Sequence, residues 1–369
     1  MKYKITNMNN TNSRTVHMKR RLSLLCLAAL LTAVACTKEP EDKPTAPTEI
    51  ETPRSLTATG GKVYVSCYSP RAVLRIDTAT MQPDAICRLG NYNPEGLCIV
   101  GNRLYVTSTF ITDEQSAILR DNKLYVIDLS SFTIVDTIVV GLNPTHCQAL
   151  DDNHLVVAAM GDYESVDAST VVVDLTSKST TSLPTALYNF DIIDHHIVGY
   201  TSPYSGSGSI FVDIDPTTNT STPITLPVSI GTPYGINADT VNGLLYITDG
   251  AYNTNGDVHC YDLRNNKYLW KAEAAIFPSK VVTWGNEAFV LNEGAWGRND
   301  ASLSRLNSKN GTIVNNYFAS VNSRGLGDVA QDIMIYGSKM YISVSFSNTV
   351  EVVNPTTGKS QQLKLLLKS

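Results

Sequence analysis

The sequence predicts an all-β fold, a seven-bladed β-propeller of four-stranded antiparallel blades over residues 54–369. Three recurrences carry that expectation. A short apolar strand ending in Asp or Asn before a polar turn appears seven times, as in Val73-Leu-Arg-Ile-Asp77, Leu124-Tyr-Val-Ile-Asp128, Val171-Val-Val-Asp174 and Val350-Glu-Val-Val-Asn354. The other copies end at Asp215, Asp262 and Asn307, so successive copies lie 41 to 51 residues apart. A second strand precedes each of these, as Val63-Tyr-Val, Leu104-Tyr-Val, Leu155-Val-Val, Leu245-Tyr-Ile or Met340-Tyr-Ile. A third signal opens most units with proline: Pro53, Pro94, Pro144, Pro233 and Pro278. In the fourth and seventh units Tyr188-Asn-Phe-Asp191 and Asp328-Val-Ala-Gln-Asp332 take its place. A repeat of this length with four short strands and no helix matches a propeller blade better than a sandwich or solenoid. Residues 361–367 read as blade seven's own outer strand, so no strand exchange is expected at the seam.

The amino terminus reads as an address rather than as structure. Met18-Lys-Arg-Arg21 is followed by an apolar run from Leu22 to Ala35 and then by Cys36, so residues 1–35 are expected to be a signal peptide, with Met18 a candidate start. The run is too short to span a bilayer. Ala33-Val34-Ala35 before Cys36 suits a lipobox with Cys36 as the lipidated residue. The segment after it, Thr37-Lys-Glu-Pro-Glu-Asp-Lys-Pro-Thr-Ala-Pro-Thr48, is charged and rich in proline, and residues 36–53 read as a flexible tether. The expected location is the outer membrane, lipid-anchored and facing the cell exterior, with no other membrane contact.

Charge excludes two classes of partner. The first 35 residues hold six Lys/Arg and no acid, so the remainder carries 23 basic against 34 acidic side chains, a net charge of −11. Nothing basic is clustered, which argues against nucleic acid or an anionic membrane surface. After Cys36 the five cysteines (67, 87, 98, 147 and 260) sit in apolar runs without a C-x-x-C pair and read as small buried hydrophobes.

Chemistry on a propeller gathers at one end, where the loops from strand d to the next a and from b to c surround the central channel. Each b–c connection is expected to carry one aromatic: Tyr68, Phe110, Tyr163, Tyr204, Tyr252, Trp296 and Phe346. Among Gly, Ser, Asn and Asp, such rings resemble a paratope, rigid amphipathic surfaces beside adaptable polar groups. Just after the opening proline or its equivalent lie Arg54, Glu95, His146, Asp191, Tyr234, Lys280 and Asp332, a chemically uneven inner ring suited to an asymmetric ligand. Catalysis finds little support. No G-x-S-x-G, H-E-x-x-H or phosphate loop occurs, and only His146 of the six histidines faces the expected funnel. Glu95, Asp191 and Asp332 could hold an axial calcium ion, which leaves a calcium-dependent lactonase-like hydrolase as the enzymatic alternative. No catalytic cofactor or resident metal is expected.

The wording of the blades, Asn93-Pro-Glu-Gly-Leu97, Arg103-Leu-Tyr-Val106 and Val350-Glu-Val-Val-Asn-Pro-Thr-Thr-Gly358, resembles the YncE-like seven-bladed propellers. Phe289-Val-Leu-Asn-Glu-Gly-Ala-Trp-Gly297 and Arg324-Gly-Leu-Gly-Asp328 are similar to surface propeller lipoproteins of the cobalamin-capturing BtuG type. That resemblance implies capture of cobalamin or another corrinoid and its delivery to a TonB-dependent outer-membrane transporter of the BtuB type. The corrinoid would be cargo, not cofactor. A glycan- or protein-binding adhesion propeller is the alternative that the residues leave open.

Overall fold

The computed structural model describes residues 48–201 and 208–367. The expected signal peptide, Cys36, most of the tether and Tyr204 lie outside the described residues. The chain forms seven four-stranded antiparallel sheets, each built from strands a to d in chain order, with a short hairpin inserted between b and c of blade two. Blade one comprises Glu51–Thr59, Lys62–Ser69, Ala72–Asp77 and Gln82–Arg88. Strand a of the following blades is Pro94–Val100, Pro144–Ala149, Asn189–Ile193, Pro233–Asp239, Pro278–Trp284 and Ala330–Tyr336. These a strands contact one another in cyclic order, and blade seven returns to blade one. The result is a seven-bladed propeller with strand a innermost.

Alternation along the strands explains why the ring closes. In strand b of blade one, Val63, Val65 and Cys67 pack with Tyr341 and Val350 of blade seven, while Tyr64 on the other face packs with Leu104 and Val106 of blade two. Strand b of blade three divides likewise: Leu155 and Val157 join blade two, Val156 and Ala158 join blade four. Phe289 and Leu291 of blade six face blade seven, whereas Ala288 and Val290 face blade five. Side chains two apart share a face, so each blade presents two apolar faces and buries neither alone. Burial is complete only when every blade has two neighbours.

The repeated Asp or Asn has a local purpose. Asp77 accepts from the backbone N–H of Ala79 and Thr80, Asp128 from Ser130 and Ser131, and Asp174 from Thr176 and Ser177. Asn354 does the same for Thr356 and Thr357. The side chain thereby closes an Asx turn between strands c and d, and the motif marks the hairpin rather than the site. All five cysteines are buried and free, in keeping with their apolar surroundings.

The structure departs from expectation in four places. Blade seven does own its outer strand, Ser360–Lys364, but the chain beyond it turns back: Leu366–Leu367 pairs antiparallel with Thr48–Glu49, and the Ile50 N–H donates to the Leu365 carbonyl at 3.1 Å. The two ends of the described chain thus clasp the seam. Consequently the segment expected as tether is ordered at its end, because Ile50 is an apolar side chain that the blade one–blade seven core takes up entirely. A short helix, Tyr317–Asn322, occupies the long connection into blade seven, where Tyr317 and Phe318 bury against Phe289 and its neighbours. Finally, blade one has almost no b–c loop: strand b runs to Ser69 and strand c begins at Ala72. Tyr68 therefore belongs to strand b and not to a loop.

Candidate functional site

Six of the seven inner strands begin with an irregularity that aims side chains at the channel. The register of strand a against strand b shifts between Pro53 and Leu56, Pro94 and Leu97, Pro144 and His146, Pro233 and Ile236, Pro278 and Lys280, and Ala330 and Asp332. Proline cannot donate to the ladder, and the β-bulge that follows bends the strand and redirects the next one or two residues. Hydroxyls of strand b hold the bulges: Ser66 accepts the N–H of Ser55, Thr107 that of Gly96 and Thr248 that of Gly235, at 3.0, 2.7 and 2.7 Å. Blade four lacks both the proline and the shift, and Asn189–Ile193 pairs regularly.

The redirected side chains surround a funnel of about 560 Å³. Of the residues expected at the site, Arg54, Tyr68, Glu95, Phe110, His146, Tyr163, Asp191, Tyr234, Lys280 and Asp332 all line it. Tyr252, Trp296 and Phe346 do not reach the wall. They stand on the rim instead, 59%, 66% and 53% exposed, with the rings of Trp296 and Phe346 edge-on at 6.1 Å. The Tyr252 hydroxyl accepts the Trp296 N–H at 3.0 Å, which ties the blade five and blade six loops together. Across the funnel a hairpin of blade two, Phe110–Thr112 with Ile118–Arg120, places the Arg120 guanidinium 5.7 Å from the centre of the Tyr163 ring.

The floor is a set of bonded polar groups rather than loose loop polarity. Arg54 donates through Nε and Nη2 to one oxygen of Glu95, and the Tyr68 hydroxyl donates to the other. Lys280 donates to Asp332, whose second oxygen accepts the N–H of Leu56 across the blade seven–blade one boundary at 2.7 Å. Asp191 accepts from Gln148 Nε2 of blade three at 2.5 Å and from the Ala238 N–H of blade five at 2.8 Å. These bonds run between blades, so the ring's closure and the floor's geometry are one property. Each acid expected as a calcium partner is thus bonded to donors of its own. Among the described residues no three of His, Cys, Asp and Glu are grouped to hold a metal ion.

Burial and neighbours set the protonation of the floor. Burial, then the charge of Lys280, holds His146 neutral with a pKa of about 4, although Asp332 pulls the other way. Its ring meets Phe190 edge-on at 4.6 Å, an arrangement suited to a neutral imidazole. Burial likewise raises the Asp191 carboxyl above its ordinary range despite its hydrogen bonds.

One functional candidate escaped the sequence. Glu293, directly after strand b of blade six, is 5% exposed and lines the funnel. Gln331 Nε2 donates to it at 3.0 Å, and the Tyr234 hydroxyl bonds it as well. Burial raises its pKa to about 7, against the opposing pull of Arg54. The available signal was comparative: the equivalent positions in blades two, three, four and five hold Thr109, Met160, Thr201 and Gly250. Gln148, which bonds the expected Asp191, and Gln331, which bonds Glu293, were also missed because neither follows a recurring motif.

No family model matches the chain, and no curated protein matches it. Solved structures do. The β-propeller domain of Myceliophteria thermophila Cps50 (Swd1) is 12% identical, with 87% of this chain and 98% of that chain covered and a TM-score of 0.55. The computationally designed Ika8 protein is 11% identical over 81% of this chain and 82% of its own, with a TM-score of 0.54. Hydrazine synthase of Kuenenia stuttgartiensis is 13% identical over 86% and 80%, with a TM-score of 0.50. Likeness at this identity establishes the propeller fold and nothing finer. The narrower resemblance to YncE-like and BtuG-type propellers rests on the sequence motifs.

Proposed function

We propose that the protein is a surface-exposed outer-membrane lipoprotein that captures a large, partly apolar small molecule, a corrinoid foremost, and passes it to a TonB-dependent transporter of the BtuB type. The observation that carries the reading is the pairing of exposed rim aromatics (Tyr163, Tyr252, Trp296 and Phe346) with a preorganised polar floor beneath them. A flat macrocycle edged with amides calls for both: broad aromatic faces for the ring and fixed hydrogen-bonding groups for the amides. Most floor groups sit on inner strands rather than on loops, so little order must be gained on binding. The lipid anchor at Cys36 and the transporter rest on the leader and on the family resemblance.

The direct test is to mix the purified protein with cyanocobalamin, desalt, and read corrin absorbance in the protein fraction. Co-elution supports capture, and colourless protein overturns the corrinoid assignment. Loss of fatty-acid labelling in Cys36→Ala would support the anchor. One observation favours a second reading, the cluster of Tyr252, Trp296 and Phe346 outside the cavity, since exposed rings also suit sugars. Retention on a glycan array by a protein that ignores cyanocobalamin would select it.

A further inference from the structure

The funnel floor carries more acceptors than donors. Its two interior cations are spoken for, Arg54 by Glu95 and Lys280 by Asp332. The remaining cation of the wall, Arg120, lies at the rim over the Tyr163 ring. Among the described residues neither Glu293 nor Asp191 makes an ion pair, and their hydrogen-bond donors are neutral: Gln331 and Tyr234 for the first, Gln148 and backbone N–H groups for the second. A second, independent shortage concerns amide oxygens. Because Gln148 must turn its Nε2 toward Asp191, its Oε1 is fixed, buried and without a partner. Asn143 Oδ1, on a side chain 5% exposed in the same wall, is also unpartnered.

Buried acceptors left without donors are costly in an empty site and selective in a filled one. At these acceptors a carbonyl or ether cannot supply what is missing, and a carboxylate or phosphate set against them would meet uncompensated negative charge. A hydroxyl brings one donor, an ammonium three and a guanidinium five, each of the last two with a positive charge. The aromatic rings of Tyr188 and Tyr234 in the same wall suit such a cation. We propose that the funnel selects a ligand presenting a cationic, donor-rich nitrogen, an ammonium or guanidinium group, to the unmatched acceptors of its floor, Glu293 foremost. The inference rests on the funnel being a ligand site and is independent of which molecule carries the nitrogen. It fits the protonation of the floor, since Arg54, Glu95 and Tyr234 are the titratable groups facing Glu293 and a bound cation would favour its charged form.

The test is isothermal titration of the full protein at pH 8 with phenethylammonium chloride and with 2-phenylethanol, a neutral probe of the same shape. The ammonium is expected to bind at least tenfold tighter, and Glu293→Gln, which keeps the shape and the bond to Gln331, is expected to bring the two probes within threefold. Equal binding of the probes, no binding of either, or an undiminished preference in E293Q would overturn the proposal. Should E293Q fail to fold, the wild-type preference at pH 8 and its decline at pH 6 decide the matter alone. Ammonium preference without cobalamin co-elution leaves this inference standing and removes the corrinoid assignment. Cobalamin co-elution without ammonium preference does the reverse.

Discussion

Arg54 of blade one reaches across the blade boundary and holds one oxygen of Glu95 in blade two with both Nε, at 3.1 Å, and Nη2, at 2.9 Å. The guanidinium lies 4.9 Å from the centre of the Tyr68 ring, whose hydroxyl bonds the other Glu95 oxygen. Burial opposes the charge on Arg54, yet Glu95 and then Tyr68 raise the guanidinium pKa above its ordinary value. The three groups form a closed unit in which no charge is left to the interior unpaired.

Removing the cation should therefore cost more than removing the pair. Arg54→Ala leaves Glu95 uncompensated and takes a positive neighbour from Glu293, and it is expected to destabilise the fold by about 3 kcal/mol. The neutral double variant Arg54→Met with Glu95→Gln should recover at least half of that loss. Urea unfolding of wild type, Arg54→Met, Glu95→Gln and the double variant at one pH, with Arg54→Ala beside them, measures it. Strictly additive losses would show that the two side chains are not coupled.

How much of this was legible depended on whether a residue's role was local. The Asx turns at Asp77, Asp128 and Asn354 and the alternation in Val63-Tyr-Val are set by neighbours a few residues away, and they disclosed seven blades. Arg54, Glu95, Tyr234 and Lys280 were found because each follows a proline that starts a bulge. Glu293 follows no such mark. Its depth arises because strands from blades one, five and seven converge on it, bringing Arg54, Tyr234 and Gln331. The clasp between Thr48–Glu49 and Leu366–Leu367 joins opposite ends of the chain, and two-residue strands carry no periodicity to read.

Gly235 shows how tightly the inner strands approach. A Cβ at this position would lie 1.9 Å from the Ser279 carbonyl oxygen of blade six, and backbone cannot rotate away as a side chain would. Gly235→Ala is expected to cost about 3 kcal/mol by forcing blades five and six apart. Gly231→Ala, where only Asp249 Oδ1 comes as near as 4.0 Å, is the control and should stay close to wild type. Thermal unfolding of the two variants gives the comparison, and similar melting temperatures would contradict close packing at the bulge.

The pH dependence of stability should expose Glu293. Its pKa rises from an ordinary 4.5 to about 7 in the fold, so between those values the folded state keeps a proton that the unfolded state releases. The stabilisation from that proton is full at low pH and drains as pH rises toward 7. His146, lowered from 6.5 to about 4, has the opposite slope and loses stability as pH falls through that window. Subtracting wild type from Glu293→Gln removes the shared contribution of His146 and of the other groups that do not interact with Glu293. The difference should move in favour of E293Q by up to about 3 kcal/mol between pH 4.5 and 7. A pH-independent difference in urea unfolding would place the Glu293 pKa near that of an ordinary carboxyl.

The rim separates binding from folding. Trp296 and Phe346 contact each other at 6.1 Å but are mostly exposed, so truncating either removes little buried area. Trp296→Ala and Phe346→Ala are each expected to change stability by less than about 1 kcal/mol. The Trp296 backbone N–H, which bonds Tyr252, survives the change and keeps the loop in place. If these rings form the platform over the funnel, each truncation should still weaken ligand binding about tenfold, because aromatic anchors dominate such surfaces. Titration with the ligand retained after desalting, run beside thermal unfolding, distinguishes the two effects. Unchanged affinity with unchanged stability would confine the ligand to the funnel and its inner residues, and lost stability would make the rim a structural brace between blades six and seven.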